Sequence, residues 1–304
     1  MANNKTVVNN GDDNIYKLKI AIILTAAIFV LEIIGGIISG SLALLSDSVH
    51  VFTDLFSLGL SLSVIFLAKL PSTKEKTFGW HRAEIFAALI NSLSLLIISV
   101  LILHEAYIRF LNPVEIKTEF MLSIAVIGML GNLIVMLKLR NHEHIDLNVK
   151  SAYLHVVGDF IASFGVIAGA IIIIWTKLYI VDAIISAFIG ILIFGGTFRV
   201  LLETFNILME GVPKGIKIQE VKNAIQTVEG VNEIHDLHIW SVCSHITALS
   251  CHISTHREWI NKRPELLLKI KSLLKDNFNI FHSTIQFDCA DCVSDLITQD
   301  LKHD

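Results

Sequence analysis

Six long apolar stretches, separated by short polar connections, fill the chain up to about residue 205, and a different pattern follows. The stretches run Leu18–Ser39, Leu42–Ala68, Glu84–Leu103, Phe120–Leu139, Ala152–Trp175 and Tyr179–Val200. Each is close to or above the ~20 residues that cross a hydrocarbon core of about 30 Å as a helix. Met1–Tyr16 is polar, and the first apolar stretch is too long for the core of a cleavable leader, so none is expected. Basic residues sit unevenly in the connections. Lys5, Lys17, Lys19, Lys69, Lys74, Lys76, Arg82, Lys138, Arg140 and Lys150 fall on one side, against Arg109, Lys117 and Lys177 on the other. That bias places both termini in the cytoplasm.

From Gly211 the periodicity changes. Lys217–Val228 and Pro264–Asn277 have the spacing of amphipathic helices. Glu233–Val242, Ile246–Thr255 and Ile280–Asp288 are rich in residues that favour strands. The order αββαβ predicts a small α+β domain with helices on one face of a sheet. The expected division is an N-terminal tail over 1–15, a six-helix membrane domain over 16–210 and a cytoplasmic domain over 211–304.

Composition agrees with this pattern. The 304 residues are 53% hydrophobic and 17% charged, with a mean hydropathy of +0.65, too apolar for an ordinary soluble domain and for a disordered one. A net charge of −4 argues against nucleic acid as a partner. Four cysteines do not make a disulfide framework.

Charged side chains within spanning helices are costly and tend to be functional. The second stretch carries His50 and Asp54, and the fifth carries His155 and Asp159, each pair at i and i+4 and so on one helix face. Two imidazoles and two carboxylates suit tetrahedral zinc, and the two negative charges neutralise a dication in a medium that rejects a bare ion. Without the metal, crowded carboxylates take up protons, so metal and protons compete for the same atoms. Between two alternately exposed faces, such a site exchanges zinc for protons. The plainer reading is that each pair is a satisfied polar contact. Asp47 is open between hydrogen bonding and a place on an ion path. Glu32 and Asn132 read as polar contacts between helices, and Asp182 as a negative charge favoured at the start of the sixth helix.

These residues and their flanks resemble the cation diffusion facilitator family. SLALLSDSVHVFTDLFSL looks like its second-helix signature, TFGWHRAEIFAALIN like the entry to its third helix, SAYLHVVGDFIASFGV like its fifth helix, and GVNEIHDLHIWSV like part of its cytoplasmic domain. The resemblance implies six membrane helices, a metallochaperone-like tail, a homodimer embedded in lipid, and exchange of a divalent metal for protons. It carries the transport site onto His50, Asp54, His155 and Asp159. A nitrogen at the first of these positions suits zinc over manganese, with cadmium and cobalt still admissible. The histidine-rich loop of larger members is reduced here to Asn141-His142-Glu143-His144, read as solvated. His81 is the one clear donor at the Trp80-His81-Arg82 turn, and packing is its expected role.

The same resemblance gives His235, His252, His282 and Asp288 as ligands of a cytoplasmic zinc site. His235 and His252 lie on the two strands of a hairpin and can meet across it. Cys289-x-x-Cys292 has metal-binding spacing and is half a site, suited to a second ion. The N-terminal tail offers it no His or Cys. Simple alternation puts His238 and Trp240 on the face opposite His235, and His245 and His256 read as surface histidines. The expected function is zinc efflux by proton-coupled antiport in a prokaryotic cell membrane, with cadmium and cobalt as further candidates. The alternative is a non-transporting zinc sensor that signals through its tail. An enzyme is not expected: there is no His-Glu-x-x-His, and four protein ligands leave no open position for water. An ATP-driven pump lacks its phosphate loop, and a channel calls for weaker sites.

Overall fold

The computed structural model describes residues 22–67, 73–140 and 147–288, without the side chains of 54, 57, 58, 60–67, 138–140 and 147–156. Asp54 and His155 therefore keep a helical backbone here, while their side chains lie outside the described residues, as do His142, His144, Cys289 and Cys292 altogether. Two compact units emerge. One is made of the described residues through Phe66 and of Ile90–Leu201, and the other of those ending at Leu89 and those from Leu202 onward.

The first unit is helical: α1 (Ile22–Ser39), α2 (Leu42–Leu67), most of α3 (His81–Leu111), α4 (Thr118–Arg140), α5 (Leu147–Thr176) and most of α6 (Ile180–Leu208). Five of these are long and apolar enough to cross a membrane, and the described apolar run of α2, Leu42–Thr53, is shorter. The helix α3 continues two turns past the apolar stretch because Glu105 and Arg109 pair at i,i+4 across 2.8 Å, and Arg109 also donates to the Gly40 carbonyl at 2.6 Å. The buried centre joins Ala43 and Leu44 to Met121, Ala125, Val166, Ala170 and Ile189.

Asp182 serves a second helix besides the one whose first turn it occupies. It lies in the first turn of α6, yet its carboxylate accepts the Leu42 and Ala43 amides at 2.8 and 3.3 Å and the Ser41 hydroxyl at 2.6 Å. These are orphan donors at the start of α2, so the charge serves that helix from 140 residues away.

The helices α1 and α4 approach closely at glycines. A Cβ on Gly35 would fall 2.7 Å from Ile124 Cγ2 and 3.1 Å from its Cβ, while one on Gly165 in α5 meets nothing within 4 Å. Gly35→Ala is expected to lower unfolding stability in detergent by about 1–3 kcal/mol through overpacking. Gly165→Ala should lower it little, and thermal unfolding of the two variants side by side checks the difference.

In the second unit, α7 (Ile218–Gln226), β1 (Val231–Cys243), β2 (Ile246–Thr255), a 3-10 turn at Arg257–Lys262, α8 (Arg263–Phe278) and β3 (His282–Phe287) follow in order. The sheet order is β1-β2-β3, antiparallel between the first two and parallel between the last two. Val221 and Ile225 of α7 and Leu266, Ile270 and Leu274 of α8 bury against Ile234, Ile239, Leu249, Cys251 and Ile253, so both helices cover one face. Asn279 ends α8 in the left-handed region, φ 57°, and the Ile280 amide returns to the Leu274 carbonyl.

The face away from the helices holds the chemistry, and a bulge sets it. His235 pairs with His252 and His238 with Ser250, so three steps on β1 match two on β2. The extra residue is absorbed where Asp236 takes φ 51°. Alternation had put His238 and Trp240 opposite His235. The bulge reverses that parity and brings all three to one face, with Leu237 and Ile239 turned to the core.

Candidate metal sites

The second and fifth apolar stretches form helices as their length and hydrophobicity predict, and one member of each His-x-x-x-Asp pair meets the other. His50 Nε2 of α2 stands 3.6 Å from Asp159 Oδ1 of α5. Two ligand atoms each ~2.1 Å from a tetrahedral zinc lie about 3.4 Å apart, so this spacing is that of a pair able to share one ion. The Asp159 side chain is 7% exposed and that of His50 is 36% exposed, so one edge of the pair is open. Glu32 and Asp47 are buried in the same unit. Glu32 Oε2 makes no hydrogen bond, and the charges of Asp47 and Asp159 act on this carboxylate. Asn132 fulfils the interhelical role expected of it, with its amide donating to the Ser163 hydroxyl at 3.4 Å.

A second group forms on the open face of the sheet. His235, His252 and Asp288 each present a ligand atom, and these atoms lie within 4.8 Å of one another. His235 Nε2 is 3.0 Å from Asp288 Oδ2, His252 Nδ1 is 3.4 Å from Asp288 Oδ1, and the two imidazole centroids are 5.6 Å apart. The His252 Nδ1 atom is buried and makes no hydrogen bond, which suits an atom kept for a metal. Asp288 is fixed by its own backbone: its amide donates to the Ile253 carbonyl, and the Arg263 guanidinium donates to its carbonyl. Asp236, which no spacing rule singled out, supports the group through its bulge position. It accepts from His238 Nε2 at 2.8 Å and lies 3.7 Å from His252 Nε2.

His282 is not brought to this group. It starts β3 beside Ala248, four register positions from His252, and packs edge-on to Phe78 at 5.5 Å. Cys251 is a core residue whose thiol burial pushes up to about 12, and among the described residues it joins no group of three potential ligands. A third group was not anticipated. His81, Cys243 and His245 hold their donor atoms within 4.8 Å of one another. His245 sits two residues past the end of a strand, and no spacing in the sequence ties it to His81.

Residues 18–209 match the family model of the cation efflux transmembrane domain, and residues 213–290 match that of the cation efflux protein cytoplasmic domain. The chain is 42% identical over 275 residues to the metal cation efflux system protein CzcD of Cupriavidus metallidurans, covering 90% of this chain and 87% of that one. It is 38% identical over 283 residues to a cadmium, cobalt and zinc/H(+)-K(+) antiporter of Bacillus velezensis, covering 92% and 90%. Among solved structures it is similar to the metal-bound C-terminal domain of the CzcD transporter, at 36% identity and a TM-score of 0.23, over 24% of this chain and all of that one.

Proposed function

The chain belongs to the cation efflux, or cation diffusion facilitator, family, and from that premise we propose that it expels zinc from the cytoplasm in exchange for protons. The observation that carries the reading is the approach of His50 and Asp159 from two different helices, at a distance suited to one shared ion. The proposed transport site is His50, Asp54, His155 and Asp159. The helix α2 serves as the sixth span, and both termini face the cytoplasm, on the side rich in lysine and arginine. Relatives named for cadmium and cobalt extend the expected cargo to those ions.

The site works by charge balance. With two ionised carboxylates and two neutral imidazoles, the filled quartet is neutral and can face either side of the membrane. On the side where zinc is scarce and protons are plentiful, the carboxylates and imidazoles take up protons and the ion leaves. The protonated site returns without an unpaired negative charge in lipid. Lower pH on the cytoplasmic side should therefore weaken zinc loading, and lower pH on the far side should speed release.

The cytoplasmic domain is proposed to bind zinc through His235, His252 and Asp288, with Cys289 and Cys292 for a second ion, and to join two copies of the chain. Zinc held between two such domains favours the joined state by mass action, which ties transport to cytoplasmic zinc. Replacing His235 and His252 together with Ala should remove one bound zinc per chain from the full-length protein, read by titration calorimetry. Vesicle flux should then lose its dependence on zinc on the side the domain faces. Unchanged stoichiometry would refute the site.

The decisive assay uses vesicles that enclose a zinc dye and a pH dye. Antiport gives zinc flux with an opposed proton flux. Zinc flux alone would make the protein a channel, and binding without flux would make it a sensor.

A further inference from the structure

We propose that His81, Cys243 and His245 form a separate binding site for a thiophilic divalent cation of the zinc and cadmium class, with Glu84 supplying the second negative charge. The three donors come from distant parts of the sequence. His81 opens α3, whereas Cys243 ends β1 and His245 lies in the turn that leads to β2. Their ligand atoms nonetheless all fall within 4.8 Å of one another. Cys243 Sγ is 3.6 Å from His245 Nδ1 and 3.7 Å from Nε2, and the His81 and His245 rings meet edge to face at 6.2 Å. A sulfur ~2.3 Å and a nitrogen ~2.0–2.1 Å from a tetrahedral zinc lie about 3.6 Å apart. The pair already has the spacing an ion requires.

Glu84 is an independent sign that a cation belongs here. It follows His81 by three residues and so shares its helix face. Its Oε1 accepts the Ser244 hydroxyl at 2.6 Å, which fixes the carboxylate beside the turn. Its Oε2 is buried and makes no hydrogen bond. A buried carboxylate oxygen with no hydrogen-bond donor is costly unless a cation or a proton reaches it. The donor set decides the ion. A thiolate and two imidazoles select soft or borderline metals over magnesium and calcium. Thiolate and carboxylate together neutralise a dication, and the proton Cys243 gives up passes to solvent. His245 is exposed and His81 half-buried, while Cys243 is buried, so the ion enters past the imidazoles and is closed in by sulfur. The group shares no residue with His235, His252 and Asp288 or with the membrane quartet, and it stands whether or not that quartet transports.

Cobalt tests the site, because a thiolate ligand gives Co2+ a near-ultraviolet charge-transfer band. Full-length protein in detergent with Cys289→Ser and Cys292→Ser leaves Cys243 and the core residue Cys251 as its cysteines. On addition of Co2+ this protein should develop the band. It should keep the band when His235 and His252 are also replaced by Ala, and lose it with Cys243→Ser. Because Cys243 is buried, the accessible ligands give a second reading. His81→Ala and His245→Ala should each weaken the titration midpoint at least about tenfold, since even outer-shell partners of a metal carry a 10–100-fold effect. Absence of the band in the double-serine protein, its survival in Cys243→Ser, or an unshifted midpoint in His81→Ala would overturn the proposal.

Discussion

Asp159→Ala is expected to reduce zinc flux in the two-dye vesicle assay to the protein-free rate, a loss of roughly a hundredfold or more. The substitution removes the carboxylate that stands 3.6 Å from His50. The loaded site is left with one negative charge against a dication. A net charge at the centre of a membrane helix costs about 2.5–3.5 kcal/mol on insertion scales, and each 1.4 kcal/mol is tenfold in occupancy. Proton movement should vanish with the metal, because the group that exchanges one for the other is gone. Asp54→Ala should behave alike if the second carboxylate shares the ion. His50→Asp is expected to keep flux and shift it toward manganese, since an oxygen replaces a nitrogen. Retention of even a tenth of the zinc flux by Asp159→Ala would exclude this carboxylate from the path.

Asp182→Ala should lower the thermal unfolding midpoint in detergent by about 10 °C, the largest stability loss expected of any single change described. Three hydrogen bonds converge on this buried carboxylate, two of them from amides at the start of α2. Hydrogen bonds to charged groups contribute about 1.5–3 kcal/mol each, and a buried amide in a membrane protein finds no water in exchange. The lower end of that range totals about 4.5 kcal/mol for the three bonds, and at roughly 2–4 °C per kcal/mol for a unit of this size it gives the expected shift. Asp182→Asn keeps one acceptor oxygen and should recover part of the loss. The midpoint is read as the temperature at which half of the monodisperse peak survives on size exclusion. A shift of only a degree or two would mean that Ser41 or the chain itself caps α2.

What the sequence could reveal depended on how local the physics was. The long apolar stretches followed from lipid stripping polar side chains from a whole helix, a constraint that acts residue by residue. The His-x-x-x-Asp repeats were visible because i,i+4 spacing on one helix is local too. The second target of Asp182 was not, because its partners are 140 residues distant, and the dipole argument accounted for its place on α6 but not for the α2 donors it accepts. The strand pattern gave the order αββαβ, yet a single residue in a left-handed conformation at Asp236 defeated the alternation rule for His238. No composition signals such a bulge. His245 was passed over for a related reason: what matters is the helix end it meets, and the two share no spacing.

The bulge at Asp236 also marks a point on β1 where the chain can lose a residue without changing the facing of the strand. Deleting Asp236 would restore a regular ladder at this point of β1, two steps against two, and leave every side chain on its present face. His235 and His238 would still point outward, with Leu237 and Ile239 inward. A one-codon loss at this point would therefore keep the imidazole face and remove only the carboxylate that His238 and His252 share.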